Sequence, residues 1–200
     1  MRKAKRPVRE QLGARSRAFR TLAQSVYRSR RLREGGFSAE AHERILESAR
    51  WSLSVANRQP WLLADAQGSS AREILLQFAR EPAAFTDFFA AKADLGVVED
   101  LHAAGAMVVV LGQHADPFWR ESCLLAVHQM MLAAAAEGLA ARVLLPTSPN
   151  ALARRVRVPV GYLPFVLVLV GHQGDEECDT RALKPITAVR LPIETGRTDS

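Results

Sequence analysis

The order of sequence patterns along the chain predicts a layered fold of the α/β or α+β class. Two apolar runs, 106–111 and 165–170, have the length and composition of buried strands, and the segment 116–137 has the length of a helix. Strand and helix patterns alternate without an internal repeat. The 200 residues are 48% apolar, which is enough for a substantial core, so we expect one domain or one subunit of an intertwined dimer.

The first third of the chain predicts two helices and then a polar loop. Apolar residues recur at helical spacing over 8–26, and we expect this helix to break at Gly13 and to end near Arg33, before two glycines. Ser38 is a suitable N-cap for the second helix. The loop 52–60 follows, and it is rich in amide and hydroxyl groups.

The rest of the chain alternates between predicted strands and helices. Three phenylalanines in 82–91 predict a helix there, which belongs either to the core or to the cover of a ligand site. The other elements follow from apolar runs and turn residues: strands at 61–65, 106–111, 142–145 and 165–170, and helices starting at Ser70, Asp116 and Pro149.

The helix 116–137 is apolar around its whole circumference. A helix of this kind is either central to a large core or shared between two subunits, and its run of alanines lets another helix approach closely. On the same helix, we expect His128 to be a core histidine and Cys123 to act as a small buried hydrophobe.

Basic charge is concentrated at the N-terminus. Residues 1–33 contain twelve Lys and Arg but one acidic residue, so the net charge of +6 comes from this segment. A solvated helix face is the simplest explanation, and docking to nucleic acid, an anionic surface or an acidic partner protein is the alternative. Few aromatic residues are interleaved with these charges, which disfavours nucleic acid as a partner. We divide the chain into a basic arm, 1–20, and a domain, 21–200.

Several classes of protein are excluded by what the sequence lacks. It has no signal-peptide pattern and no apolar run of the ~20 residues that a membrane helix needs. Cys123 and Cys178 have neither metal-site spacing nor a disulfide framework, so we expect a cytoplasmic protein that does not bind a membrane. Neither a glycine-rich phosphate loop nor a serine nucleophile motif is present, and the five histidines are scattered. An enzyme of this sequence would need a cofactor to supply the reactive atom.

Two polar segments nevertheless predict a site for a phosphorylated, planar, hydrogen-bonding ligand. The segment 28–31 (Arg-Ser-Arg-Arg) combines the guanidinium and hydroxyl groups that a phosphate needs. The segment 54–61 (Ser-Val-Ala-Asn-Arg-Gln-Pro-Trp) offers amide and hydroxyl groups immediately before an apolar run.

With these two segments, the chain resembles the FMN-dependent nitroreductase superfamily over about residues 20–190. The resemblance rests on the order and spacing of four segments, of which Asn-x-Gln-Pro-Trp at 57–61 is the most specific. The other three are Tyr-Arg-Ser-Arg-Arg at 27–31, Met-Leu-Ala-Ala-Ala-Ala-Glu-Gly-Leu at 131–139, and Pro-Val-Gly-Tyr-Leu-Pro at 159–164, which precedes an apolar strand.

The resemblance implies an α+β fold of three layers, α/β/α, and an obligate dimer with long central helices and exchanged C-terminal arms. Two FMN sites would lie at the interface, and each would be built by both chains. The residues implied are Ser29 and Arg31 for the phosphate with Arg28 adjacent, Arg181 to complete the phosphate clamp, and Ser54 and Asn57 from the other subunit.

Four positions depart from the family pattern. Tyr27 and Leu183 stand where the family has arginines, and Val55 replaces a hydroxyl residue. Leu145 is the nearest match to a loop glycine that donates its N–H to the flavin, but Pro146 beside it has no N–H to give. Each hydrogen bond lost from a charged group is worth about 1.5–3 kcal/mol, so FMN binding is expected to be weakened or absent.

The resemblance therefore implies one of two functions. The first is an FMN-dependent oxidoreductase that exchanges a hydride with NAD(P)H or a small organic substrate, either in nitro or quinone reduction or in a dehydrogenation such as cyclic dipeptide oxidation. The alternative is a nitroreductase-like subunit with a degenerate flavin site that works in a hetero-oligomer with a related chain instead of a homodimer.

Overall fold

The computed structural model describes residues 8–27, 30–66, 69–88 and 96–177, and it has the three-layer α+β fold that the resemblance implies. The helices are α1 (Val8–Tyr27), α2 (Ala39–Ser48), α3 (Ser69–Ala79), α4 (Val97–Ala103), α5 (Trp119–Ala136) and α6 (Pro149–Arg155). The strands are β1 (Arg30–Arg33), β2 (Trp61–Asp65), β3 (Phe85–Asp87), β4 (Ala106–Gln113), β5 (Ala140–Pro146) and β6 (Tyr162–Glu177).

The strands form one antiparallel sheet with β6 at its centre. Their order is β2-β4-β6-β5-β3, and β1 pairs with the last part of β6, beyond the region where β6 pairs with β4 and β5. The apolar run at 165–170 is therefore flanked by strands on both sides, as its composition predicts.

Helices cover both faces of the sheet, so alternate residues of β6 enter two separate cores. Val166, Val168 and Val170 pack with α2 and α5 on one face, where Trp119 also meets Phe165 edge-to-face at 5.0 Å between ring centroids. Leu167 and Leu169 pack with α3, α4 and α6 on the other face. Burial on both faces explains why β6 carries no polar alternation.

Several predicted helix ends are confirmed. The Ser38 side chain accepts a hydrogen bond from Ala41 N at 3.1 Å and caps α2. Gly138 follows α5 with a φ of 73°, a left-handed conformation that favours glycine. Arg44 of α2 donates two hydrogen bonds to the Glu137 carboxylate, at 2.7 and 2.8 Å, and these bonds hold the pKa of Glu137 below its usual value.

The predicted course of the first helix is wrong in two respects. α1 runs through Gly13 without a break and ends at Tyr27 rather than near Arg33. The residues that follow instead form β1, because the edge of β6 offers them backbone partners and the Leu32 side chain becomes buried there. Tertiary pairing here outweighs the helical propensity of arginine.

Other predictions fail for local reasons. Residues 82–88 do not form a helix, since Ala83 has a φ of 51° and Phe85 enters β3 beside the end of β5; the rest of the predicted helix lies outside the described residues. Helix α5 starts at Trp119, because the Asp116 carboxylate accepts a hydrogen bond from Phe118 N at 2.8 Å and holds the preceding turn. Helix α3 starts at Ser69, one residue before the expected cap.

Among the described helices, none is long and apolar enough to cross a membrane.

A buried group of four charges joins the sheet to the helix layer. Arg142 of β5 is ion-paired with Asp87 of β3, 2.8 Å away, and with Asp100 of α4, and all three side chains are almost fully buried. Asp100 also pairs with Arg31 of β1 at 3.3 Å. The group, which we call the buried charge cluster, balances two carboxylates against two guanidinium groups.

Removing one member of the buried charge cluster should destabilise the fold strongly. We expect Arg142→Met to lower the free energy of unfolding by about 3–5 kcal/mol, because two carboxylates would stay buried without their main partner. Arg154→Met, on an exposed position of α6, is the matched control and should change it by less than about 0.5 kcal/mol. Urea denaturation measures both, and equal small effects would contradict the prediction.

Candidate functional site

The loop that contains Ser54 and Asn57 lies at one end of the sheet. It is anchored where Gln113 N–H donates to Pro60 O at 2.8 Å, and Gln113 pairs with Tyr162, the first residue of β6. This end of the sheet also holds the end of β5, where Leu145 follows the last residue that pairs with β6.

Arg31 lies at the opposite end of the sheet. Its neighbour Leu32 pairs with Gln173, which is eleven residues after Tyr162 on β6, or roughly 35 Å at about 3.3 Å per residue. A single chain therefore does not bring Arg31 together with the loop of Ser54 and Asn57. Three other predicted phosphate residues lie outside the described ranges: Arg28, Ser29 and Arg181.

Residues 54–59 form a tight, partly strained loop. Ser54 Oγ accepts a hydrogen bond from Gln59 N at 3.0 Å, and Gln59 Nε2 donates to Asn57 Oδ1 at 3.0 Å. Ala56, Asn57 and Gln59 have positive φ angles of 52°, 52° and 47°. Left-handed backbone costs roughly 1–2 kcal/mol per non-glycine residue, and such strain collects at functional sites.

The strained loop leaves hydrogen-bonding groups available to a ligand. Asn57 is exposed, and its Oδ1 accepts from Gln59, so its NH₂ group is the part that is left to donate. Within the described part of the chain, this NH₂ group has no acceptor. Ser54 is half-buried, and its hydroxyl hydrogen is likewise not consumed by the bond that its oxygen accepts.

An exposed apolar surface lies next to this loop. Trp51 and Leu53 are 77% and 79% exposed, and Val55 is 44% exposed. The turn that contains Trp51 contacts α5, on which Leu125 is also exposed, and Phe118 is exposed immediately before this helix. α5 is thus apolar on more than one face, as predicted. One face is buried in the core, and another is uncovered in the single chain.

At the opposite end of the sheet, the described arginines of β1 are held by groups of the protein itself. The Arg31 guanidinium lies 3.3 Å from Asp100 Oδ1 and 3.8 Å from Glu99 Oε2. Arg33 Nε donates to the backbone oxygen of Gln173 at 3.1 Å. The guanidinium predicted to bind a phosphate is therefore already facing two carboxylates.

The corner after β5 uses its backbone groups within the sheet. Leu145 pairs with Thr86 and Pro146 with Phe85, so both belong to the β3–β5 ladder. The next N–H group, that of Thr147, donates to Ala84 O at 3.0 Å. Neither position 146 nor 147 thus has an N–H to offer a ligand, and Leu145 sits half-buried against the core of α5.

Sequence reasoning missed an apolar cleft of about 330 Å³ between α1, α5 and β5. Val26, Met131 and Val143 line it, and Phe88 and His128 are exposed at its rim. The expectation that His128 is a core histidine is therefore wrong: its side chain projects from the uncovered side of α5. The apolar pattern of α5 gave no sign that His128 is exposed. The group of phenylalanines in 85–89, by contrast, was a signal that could have identified Phe88 as a residue of the cleft.

Cys123 behaves as predicted. It is fully buried in α5, and burial raises the pKa of its thiol to about 12, with the Asp116 carboxylate adding to the shift. No group of three or more His, Cys, Asp or Glu side chains in the described ranges could hold a metal ion.

The buried thiol should be unreactive in the folded protein. In a Cys178→Ser background, we expect iodoacetamide at pH 8 to modify Cys123 about a thousandfold more slowly than in urea, because the pKa rises from 9.0 to about 12 and the thiolate is the reactive form. Mass spectrometry of timed samples measures both rates. Similar rates in the two conditions would contradict the burial of this side chain.

Comparison with known proteins agrees with this architecture. The sequence pattern of the Nitroreductase family matches residues 29–172. No curated protein matches the chain in sequence.

Several solved structures share the fold. A nitroreductase-like family protein from Bacillus cereus superposes with a TM-score of 0.69 at 16% identity, covering 98% of this chain and 100% of that one. A nitroreductase family protein from Clostridium difficile 630 gives 0.65 at 20% identity, covering 88% and 97%. An FMN-dependent nitroreductase from Clostridium difficile R20291 gives 0.63 at 16% identity, covering 84% and 95%. On the match over residues 29–172, the chain belongs to the nitroreductase family.

Proposed function

We propose that this protein is an FMN-dependent oxidoreductase that exchanges a hydride with a small organic substrate, with NAD(P)H as the electron donor. The observation that carries the proposal is the family match over residues 29–172, which includes the Asn57–Trp61 motif. A solved structure of the same fold, that from Clostridium difficile R20291, is an FMN-dependent nitroreductase.

The residues at the loop end of the sheet fit a flavin. Asn57 and Ser54 present hydrogen-bond donors on a preorganised loop, which suits the polar edge of a flavin ring or its ribityl chain. The cleft beside α5, at about 330 Å³, is within the range of roughly 300–1,000 Å³ found for small-molecule pockets. When bound, FMN would supply the hydride-transfer chemistry at its N5 atom.

The residues proposed for the phosphate group suit FMN less well than those proposed for the ring. Arg31 faces two carboxylates of its own chain, so it has less positive charge to offer an incoming phosphate. In this proposal, Ser29 and Arg28 hold the phosphate, together with Arg181. The chain itself orients the ring and excludes water from one side through the apolar residues of α5 and β5.

The geometry of one chain supports a site shared between two copies. The loop of Ser54 and Asn57 is roughly 35 Å from Arg31 along β6, so one copy cannot supply both ends of a site. The exposed apolar surface formed by Trp51, Leu53 and Leu125 has the character of a subunit interface. We therefore propose a dimer in which the loop of one copy reaches the cofactor of the other.

A second candidate function is favoured by the ion pairs of Arg31. With one phosphate contact occupied internally, and with Tyr27 and Val55 in place of polar family residues, the chain can instead act in a hetero-oligomer. It would then give its Ser54–Asn57 loop to the flavin site of a related subunit. Co-purification with a second, related chain distinguishes this function from a homodimer with two FMN per dimer.

The flavin proposal predicts a measurable role for Asn57. We expect the purified protein to take up FMN, and we expect NADH to reduce the bound flavin under anaerobic conditions, which bleaches its absorbance. Asn57→Ala should raise the Kd for FMN by about 2–10-fold, because one hydrogen bond is worth about 0.5–1.5 kcal/mol. Asn150→Ala, on an exposed position of α6, is the control and should leave the Kd unchanged.

Flavin fluorescence quenching on titration measures these constants. A protein that takes up no FMN at any accessible concentration would overturn the flavoenzyme proposal.

The dimer proposal predicts a role for the exposed face of α5. We expect the wild-type chain to sediment as a dimer, and Leu125→Glu to shift it toward the monomer, since the change places a charge in an apolar interface. Ser70→Glu adds the same charge to an exposed position of α3, on the other face of the sheet, and should leave the dimer intact. Analytical ultracentrifugation decides, and a monomeric wild type would refute the shared site.

A further inference from the structure

The carboxylate of Asp100 connects three elements at the phosphate end of the sheet. It is 1% exposed, and its Oδ1 atom accepts a hydrogen bond from Leu32 N at 2.9 Å. The same atom lies 3.3 Å from Arg31 Nε, while Oδ2 pairs with Arg142. Asp100 thus binds both the backbone and a side chain of β1 and ties them to β5.

The Arg31 guanidinium has little freedom to leave this position. A Cβ atom added at Gly96 would overlap Arg31 Nη1, so the guanidinium lies directly against the backbone of residue 96. At the backbone of the same residue, a Cβ added at Gly174 would come within 2.8 Å of Arg31 O, which shows how closely β1 packs on β6. Only glycine at 96 leaves room for the side chain of Arg31.

The local charge also disfavours a phosphate at Arg31. Asp100 and Glu99 both lie within 4 Å of its guanidinium, so a phosphate bound there would be placed close to two like charges. Because like charges repel, these two carboxylates oppose the binding of a phosphate to Arg31.

We propose that Arg31 is a positioning residue that acts through Asp100 and is not itself a phosphate contact. The pairing of Asp100 with Arg31 and with Leu32 N fixes β1. Arg28 and Ser29, the proposed phosphate residues, come immediately before β1 in the sequence, so we expect a displaced β1 to weaken phosphate binding. The cofactor part of this inference rests on the proposed flavin function, whereas the structural part does not.

The structural part is tested in the ligand-free protein by hydrogen exchange. Asp100→Asn removes the charge that holds Leu32 N, and we expect the Leu32 amide to exchange about tenfold faster or more, because hydrogen bonds to charged groups are worth about 1.5–3 kcal/mol. Gly96→Ala displaces only the flexible guanidinium of Arg31 and should also speed this exchange. Gly36→Ala, where an added Cβ meets nothing within 4 Å, is the control.

The cofactor part is tested by a double-mutant cycle with FMN and riboflavin as probes. Arg31→Gln should reduce the preference for FMN over riboflavin in the wild-type background. In the Asp100→Asn background, it should change that preference by less than about twofold, because the pair is already broken. A general loss of stability would weaken both ligands alike and leave the preference unchanged, so the ratio reports on the phosphate position.

Two results would overturn the inference. An equal loss of FMN preference from Arg31→Gln in both backgrounds would show direct contact between Arg31 and the phosphate. An unchanged Leu32 exchange rate in both Asp100→Asn and Gly96→Ala would show that the pair does not hold β1. If the wild type takes up neither flavin, the proposed function fails, and the exchange experiment alone decides the role of Arg31.

Discussion

The pairing of β6 with three neighbours is the interaction on which the rest of the structure depends. Its first part joins β4 and β5 and so divides the protein into two cores, while its last part holds β1. Because one strand spans both regions, it fixes the distance between the loop of Ser54 and the arginine of β1. The assembly we propose, in which two copies share each site, follows from this fixed distance and not from any single side chain.

The layers of the fold could be predicted because their signals are local. Continuous apolar runs mark β4 and β6, and the Ser38 cap marks the start of α2. The strands β1 and β3 could not be predicted, because their stability comes from partners far away in sequence. From the sequence alone, Arg30–Arg33 is predicted as the end of a helix and Phe85 as part of one. Pairing with β6 and with β5 makes these residues strands instead.

The candidate site was only partly predictable for a related reason. The motif at 54–61 identifies its loop by residue type, but the left-handed backbone at Ala56 and Asn57 appears only in the structure. The prediction for Arg31 rested on residue type alone, since guanidinium groups near a hydroxyl suggest a phosphate site. The carboxylate that pairs with Arg31 lies 69 residues further along the chain, in a helix for which the sequence showed no clear secondary-structure pattern. His128 was obscured because the helix around it is apolar on all sides.

The depth of the buried charge cluster has a consequence for behaviour in salt. Dissolved ions screen exposed charges over about 8 Å at physiological ionic strength, but they act much less on buried pairs. The pair of Arg142 with Asp100 is almost fully buried, whereas Arg44 in its pair with Glu137 is largely exposed. Rising ionic strength therefore weakens the exposed pairs well before it loosens the buried charge cluster. The end of the sheet at which we propose that a phosphate binds is therefore held together by an interaction that salt disturbs little.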